Sequence, residues 1–317
     1  MPRALYTDYP WPDTSVEQSI LDEADCQIVE APTGDEETLA RLAVDCDAIF
    51  TCWAQVTAKV LDAAPNCRHV SRTGIGLDNI DVERATERGM IVTNVPDYCI
   101  PEVAEHTMAL LFALARNIHV HHKNTHANVY DIQSGATMER MEDQTVGVVG
   151  TGQIGKVFIQ KCLGLGMRVV AHNRSQQVPA GVEWRGLNDL LAESDYVALL
   201  CPLTPETQGL MSGEQFARMK DSAFLINTSR GGLVDHAALA EALDAGQLAG
   251  AGLDVQVPEP PDLNVPPYND PRVIVTPHAA FLSTRAVTEL RTRVARQVVD
   301  FLQGRTPENI VNADRLA

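Results

Sequence analysis

Short apolar runs alternate along this chain with polar, helix-forming stretches. In the first third, Cys26-Gln27-Ile28-Val29-Glu30, Ala48-Ile49-Phe50-Thr51-Cys52 and Ile91-Val92-Thr93-Asn94-Val95 read as strands. Glu36 to Leu42, Ala58 to Ala63 and Val82 to Arg88, lying between them, suit short helices. Pro101 to Asn117 then reads as one long helix, with Pro in its first turn and Glu102 and Glu105 where helix N-termini favour negative charge. The alternation resumes with strands at 145–150, 168–172, 196–201, 223–228, 251–255 and 273–276. The helices among them fall at 156–163, 187–192, 213–219 and 236–245. Ser212 and Gln215 make a capping-box pair for one of these helices; Asp235 caps another and Gly246 stops it. Strands alternating with helices predict parallel sheets covered on both faces. A last helix, 284–303, has the length to return to the first domain and make it discontinuous.

One turn in this series has a specific chemistry. Thr145-Val146-Gly147-Val148-Val149 is followed by Gly150-Thr151-Gly152-Gln153-Ile154-Gly155 and then by a helical run from Lys156 to Leu163. Strand, glycine-rich turn and helix together form a dinucleotide-binding fingerprint. Gly150 allows the tight turn, Gly152 lets backbone approach a pyrophosphate, and Gly155 permits close helix–strand packing. The diphosphate would rest on the N–H groups opening the helix, at Gln153 and Ile154, where the dipole favours negative charge. The predicted class is therefore α/β with parallel, doubly wound sheets. Residues 1–99 plus 284–317 would form a flavodoxin-like substrate-binding domain, and 100–283 the dinucleotide-binding domain.

Charge narrows the partners. The 317 residues carry a net charge of −17, spread along the chain, which disfavours nucleic acid and anionic membrane surfaces as partners. The longest apolar run, Met108 to Ala115, is too short to cross a bilayer, and the N-terminus lacks an apolar signal core. Seven scattered cysteines, without CxxC or metal spacing, suggest reduced thiols and a cytoplasmic protein.

Three later segments end strands with reactive side chains: Asn227-Thr228-Ser229-Arg230-Gly231-Gly232, Gly252-Leu253-Asp254-Val255-Gln256-Val257-Pro258-Glu259, and Thr276-Pro277-His278-Ala279-Ala280. Ligands of open α/β sheets bind beyond the carboxyl ends of strands, so these residues can converge there. Arg230 would bind a substrate carboxylate and polarise the adjacent carbonyl; His278 would exchange a proton with the developing alkoxide; Glu259 would favour the charged ring and orient it. Singly, each also reads as a turn or loop residue.

These motifs resemble those of the D-isomer-specific 2-hydroxyacid dehydrogenases over nearly the whole chain. The resemblance implies hydride transfer between NAD(P) and a small 2-keto or 2-hydroxy acid, with Arg230, Glu259 and His278 as the catalytic triad. It also implies two Rossmann-like domains with a cleft between them, and a homodimer joined through the cofactor domains. Asp254 would approach the nicotinamide amide, and Cys201, Pro202, Thr207, Thr228 and Ser229 would line the cofactor. Ser71-Arg72-Thr73-Gly74-Ile75-Gly76-Leu77-Asp78-Asn79 looks like the family's substrate loop, with the N–H groups of Ile75 and Gly76 holding the carboxylate, and Tyr98 falls near the substrate.

The chain departs from the pattern at the end of the second strand of the nucleotide domain. There His172-Asn173-Arg174-Ser175 places Asn173 where an Asp usually binds the ribose, and supplies Arg174 and Ser175. That favours NADP over NAD. Trp53 and Phe281 suit either a partly apolar pocket wall or packing at the domain interface. His119, His121, His122 and His126 read as a solvated helix end; no metal is expected. A second class of function stays open. Tyr6-Thr7-Asp8-Tyr9-Pro10-Trp11, with Thr51-Cys52-Trp53-Ala54-Gln55, also resembles the C-terminal-binding-protein branch, whose animal members act as NAD(H)-sensing corepressors. The intact triad favours catalysis. Glu259 argues against a formate-type enzyme, which typically carries Gln there.

Overall fold

In the computed structural model, which describes residues 1–316, the chain divides into two units: Met1–Tyr98 together with the chain from Ser283 onward, and Cys99–Leu282. The first unit opens β1 (Arg3–Tyr6), α1 (Ser15–Leu21), β2 (Gln27–Glu30), α2 (Glu36–Ala43), β3 (Ala48–Thr51), α3 (Ala58–Asp62), β4 (His69–Arg72), α4 (Val82–Glu87) and β5 (Ile91–Thr93). Its five strands are all parallel, in the order β2-β1-β3-β4-β5. The hydrophobic pattern had not marked β1, α1 or β4. β1 has four residues, too few to show a period. β4 buries His69, Ser71 and Arg72, so its composition hides its depth. Each of these side chains makes at least one hydrogen bond, although His69 Nδ1 has no partner among the described residues. His69 Nε2 lies 2.9 Å from Thr93 Oγ1, Ser71 Oγ donates to Gln297 Oε1 at 2.9 Å, and Arg72 Nε donates to Asn79 Oδ1 at 3.0 Å. Burial pushes the His69 imidazole down to about 3, so it is neutral at physiological pH.

The second unit contains α5 (Ile100–Ala115), α6 (Ile118–His126), β6 (Thr145–Val149), α7 (Gln153–Gly164), β7 (Arg168–His172), β8 (Glu183–Trp184), α8 (Leu187–Glu193), β9 (Tyr196–Leu199), α9 (Gly213–Phe216), β10 (Phe224–Asn227), α10 (His236–Asp244), β11 (Gly250–Leu253) and β12 (Val273–Val275). Its seven parallel strands run β12-β11-β10-β9-β6-β7-β8, so the order reverses between β6 and β9. One face packs Val149, Leu199, Leu225 and Leu253 under α8, α9 and α10; the other packs Val148, Ala198 and Ile226 under α5 and α7. Coverage on both faces explains the continuous apolar runs of the central strands. Two local expectations are corrected. The predicted helix 213–219 is one turn, Gly213–Phe216, and the Ser212 hydroxyl donates to Gln215 Oε1 at 2.6 Å instead of closing a backbone capping box. The predicted strand 251–255 stops at Leu253, because Asp254 turns into the bonds described below.

The last helix, α11 (Thr284–Leu302), packs on α1 in the first unit. Arg291 of α11 donates to Glu17 of α1 at 2.9 and 2.6 Å and lies over the Trp11 ring; the Tyr6 hydroxyl donates to Glu17 at 3.3 Å. Tyr6, Tyr9, Trp11 and Phe50 form one aromatic cluster. The Tyr6–Trp11 run is thus part of the packing of this unit. Glu17 is fully buried, so Arg291→Met strands a carboxylate and is expected to cost about 3–5 kcal/mol. Urea titration checks this: the double variant E17Q/R291M should recover most of the loss, and an unchanged midpoint for R291M would refute the pairing.

Candidate active site

The reversal of strand order between β6 and β9 opens a crevice at their carboxyl ends, and the glycine-rich turn lies there. Gly150 has φ +103°, and a side chain on it would meet Leu200 O and Cys201 N beyond β9 at 2.5 and 2.6 Å. A Cβ on Gly155 would overlap the Gly150 carbonyl, so α7 sits directly against the turn. Gly152, the N-cap of α7, faces open space, and no side chain caps the helix. Gln153 and Ile154 open the helix at that point. A cradle that only backbone can line, ending on uncapped N–H groups, fits a diphosphate.

Around this turn lie the other residues expected to hold a dinucleotide. Asn173, just past β7, donates through Nδ2 to Thr151 Oγ1 and to Gln177 O, both at 2.5 Å, leaving its buried Oδ1 without a donor among the described residues. Arg174 and Ser175 are exposed beside it. Past β9, Cys201 is buried, and its carbonyl accepts from Ser229 Oγ at 2.5 Å. Thr207 closes the next turn on Pro202 O at 2.8 Å, and Thr228 Oγ1 pairs with Thr107 Oγ1 of α5 at 2.7 Å.

Three strand-end loops bring the predicted triad segments together. Glu259 Oε2 lies 2.8 Å from His278 Nδ1. Gln256 N donates to the other Glu259 oxygen at 2.8 Å, while Gln256 Nε2 ties down Leu253 O and Thr276 O, each at 3.1 Å. Burial is the largest influence on Glu259 and pushes its carboxyl up; the His278 hydrogen bond and charge, the Gln256 N–H and the Arg230 charge outweigh it and hold the group below its usual range. Arg230 is fixed on both sides: Asn227 Nδ2 donates to its carbonyl at 2.8 Å, and its Nη1 donates to Ser229 O at 2.8 Å. A Cβ on the next residue, Gly231, would overlap the Gln256 carbonyl, so the Arg230 loop rests on the loop of Glu259.

Asp254 holds the histidine segment. Its carboxylate is fully buried and accepts from Ala279 N and Ala280 N, each at 2.9 Å, and from Thr276 Oγ1 at 2.5 Å. Its own carbonyl accepts from His278 N at 2.8 Å. His278 is thereby kept at φ +52°, a left-handed backbone uncommon for a side chain of this size. His106 Nε2 of α5 also reaches Thr276 Oγ1 at 3.0 Å and Asp254 at 3.4 Å. The Phe281 ring meets His278 edge-on, with centroids 6.4 Å apart.

In the first unit, the N–H groups of Ile75 and Gly76 have no acceptor among the described residues, and Asn94 Nδ2 holds Ile75 O at 2.8 Å. Two N–H groups presented by a fixed loop suit an anion. The neighbouring loop after β3 is organised by Asp8, whose carboxylate accepts from the N–H groups of Cys52, Trp53 and Ala54 at 3.1, 2.8 and 3.1 Å. Tyr98 is buried at the end of the first segment of this unit. Sequence reasoning missed Asp8, Asn94, His106 and Gln256 as supports. Only Gln256 carried a local signal, its place between Asp254 and Glu259. In the histidine group, His119 Nδ1 lies 3.3 Å from Ala113 O, and the His122 and His126 rings meet edge-on, with centroids 4.4 Å apart.

Residues 108–280 match the model of the D-isomer specific 2-hydroxyacid dehydrogenase, NAD binding domain. A glyoxylate reductase of Korarchaeum cryptofilum is 38% identical over 90% of this chain and 88% of its own length. A D-3-phosphoglycerate dehydrogenase of Mycobacterium tuberculosis is 36% identical over 98% of this chain, which spans only 59% of that relative. Among solved structures, an acyclic imino acid reductase (Bsp5) in complex with NADPH and D-Arg superposes with a TM-score of 0.87 at 26% identity, covering 98% of this chain and 99% of its own. The strand order of the dinucleotide-binding type and the glycine cradle at its reversal agree with these matches, which define an oxidoreductase that uses a nicotinamide cofactor. The chain belongs to the D-isomer specific 2-hydroxyacid dehydrogenases.

Proposed function

We propose that this enzyme interconverts a small 2-keto acid and its D-2-hydroxy acid. The observation that carries the reading is the 2.8 Å bond between Glu259 and His278 Nδ1 on the loops that also carry Arg230. With Nδ1 engaged by the carboxylate, proton exchange with the substrate oxygen falls to Nε2. Arg230 binds the substrate carboxylate and draws charge onto the carbonyl oxygen as it develops. Glu259 orients the ring through its bond to Nδ1. Asp254 fixes the backbone on either side of His278, and the Ile75 and Gly76 N–H groups receive the carboxylate. Trp53, Tyr98 and Phe281 would wall the substrate in this reading. Gly150 to Gly155, with Cys201, Pro202, Thr207, Thr228, Ser229 and Asp254, would hold the nicotinamide dinucleotide, which when bound would supply the hydride for the carbonyl carbon. In this reading the substrate-binding domain is 1–99 plus 284–317 and the dinucleotide-binding domain is 100–283.

We assign NADP as the preferred cofactor. Asn173 brings no carboxylate against a 2′-phosphate, its undonated Oδ1 suits a ribose hydroxyl, and Arg174 stands exposed beside it. Asn173→Asp is expected to shift the NADPH-to-NADH ratio of kcat/KM toward NADH by about tenfold to a hundredfold, the worth of a charged hydrogen bond gained and a repulsion added. Initial rates with both cofactors check it; an unshifted ratio removes Asn173 from cofactor choice. The same assay across glyoxylate, hydroxypyruvate, pyruvate, phenylpyruvate and 3-phosphohydroxypyruvate tests the function. Tight dinucleotide binding without turnover would favour the sensing scaffold instead.

We also propose a cytoplasmic homodimer joined through the cofactor domain. Ile118, Val129, Tyr130 and Ile132 of that unit are exposed, and the seven cysteines are buried free thiols. No described helix is long and apolar enough to cross a membrane.

A further inference from the structure

His236 opens α10, five residues past Gly231 and outside the triad, yet its ring is tied to the loop of Arg230. Nε2 lies 3.1 Å from the Gly231 carbonyl, and Nδ1 lies 2.9 Å from the Tyr268 hydroxyl. A carbonyl can only accept, so Nε2 carries the proton. Burial is the main influence on this imidazole and lowers it below the usual histidine value, outweighing the Gly231 carbonyl and Asp235, which pull the other way. The helix N-terminus also disfavours a second proton. Nδ1 is then an acceptor, and the phenol donates to it. Tyr268 is itself raised, first by burial, with the Glu259 charge adding to it. Its oxygen sits 3.5 Å from Val257 O, two residues before Glu259. The Tyr268–His236 pair therefore runs from the Glu259 loop to the Arg230 loop, beside the point where Gly231 rests on the Gln256 backbone.

We infer that His236 and Tyr268 are positioning residues for hydride transfer, clamping the Arg230 loop against the Glu259 loop through a fixed proton order: Tyr268 O–H to His236 Nδ1, and His236 Nε2–H to Gly231 O. Asn227 holds the carbonyl of Arg230 and His236 holds the carbonyl of the next residue, so the two bonds set where the guanidinium begins. The inference rests on the roles given above to Arg230 and Glu259. A loop released by even a fraction of an ångström moves Arg230 off the substrate, and such misplacement is costly.

The test uses the whole enzyme with three variants, His236→Leu, His236→Gln and Tyr268→Phe, and the keto acid that the wild type reduces best. His236→Leu is expected to lower kcat/KM for the keto acid about tenfold, with the KM for dinucleotide within about twofold of wild type. Tyr268→Phe should fall between them, and His236→Gln, which keeps a donor near Gly231 O, should recover most of the rate. Equal loss in the Leu and Gln variants would reduce the pair to packing and overturn the inference, as would unchanged kinetics in His236→Leu. Nitrogen-15 NMR of labelled histidines gives a readout free of turnover. The wild type should show His236 as the Nε2–H tautomer at neutral pH, and Tyr268→Phe, which leaves Gly231 O in place, should keep that tautomer but shift the Nδ1 resonance as its donor is lost. An Nδ1–H or doubly protonated ring in the wild type overturns the clamp even if His236→Leu fails to fold. Absent turnover in the wild type, with the tautomer as stated, would count against the functional reading and leave the clamp standing.

Discussion

Replacing His278 with Asn is expected to lower kcat for keto-acid reduction by about 10²–10⁴-fold while leaving dinucleotide affinity near that of the wild type. Asn is the informative choice. His278 sits at φ +52°, a conformation Asn tolerates better than most residues, so the bonds from Asp254 to Ala279 and Ala280 should survive. What Asn lacks is an exchangeable proton of suitable acidity. The cofactor cradle is built at the end of another strand, β6, and does not depend on the ring. The pH range over which the pair acts follows from Glu259. Its carboxyl is held below the usual range, so the bond to His278 is present at neutral pH and is lost only as pH falls through that depressed value. Fluorescence titration with the reduced cofactor and a single-turnover rate together decide the matter. A variant that binds cofactor and keeps more than a small part of the wild-type rate would take the proton away from His278.

The fold and the site were legible to different depths, for physical reasons. β6 and the glycine turn announced themselves because a buried parallel strand reads as a continuous apolar run and because only glycine fits at 150 and 155. β4 did not, since three of its four buried residues are His69, Ser71 and Arg72, and the partners of the first two, Thr93 and Gln297, are distant in sequence. The triad residues could be picked out because each follows a strand. The groups that aim them could not: the sequence suggests Asp254 only toward the cofactor, and the folded chain also places its carboxylate on the N–H groups beyond His278. The same holds for Asp8. Its side chain caps three N–H groups more than forty residues away, a contact with no local signature. Helix 213–219 failed for the opposite reason. The capping-box residues are present, but Ser212 and Gln215 bond to each other and the helix ends within a turn.

Arg230→Lys is expected to lower kcat/KM for the keto acid by about 10²–10³-fold although the charge is kept. A guanidinium presents several donors in one plane. Here Nη1 donates to Ser229 O at 2.8 Å, which steadies the plane, and in the proposed role the fork would meet a carboxylate and its neighbouring carbonyl together. An ammonium is a single point charge on a flexible stem and cannot meet two oxygens in fixed geometry. Its shorter reach would also have to start from a backbone already pinned by Asn227 and by the contact of Gly231 with Gln256. The loss should appear in kcat as well as in KM, because the carbonyl oxygen gains charge only as the hydride moves, and the missing donor is missed most at that stage. Arg230→Ala separates geometry from folding: added guanidinium ion should restore part of its activity, whereas added ammonium should not. Lysine activity within about threefold of wild type would mean that charge alone suffices, and the planar fork would lose its role.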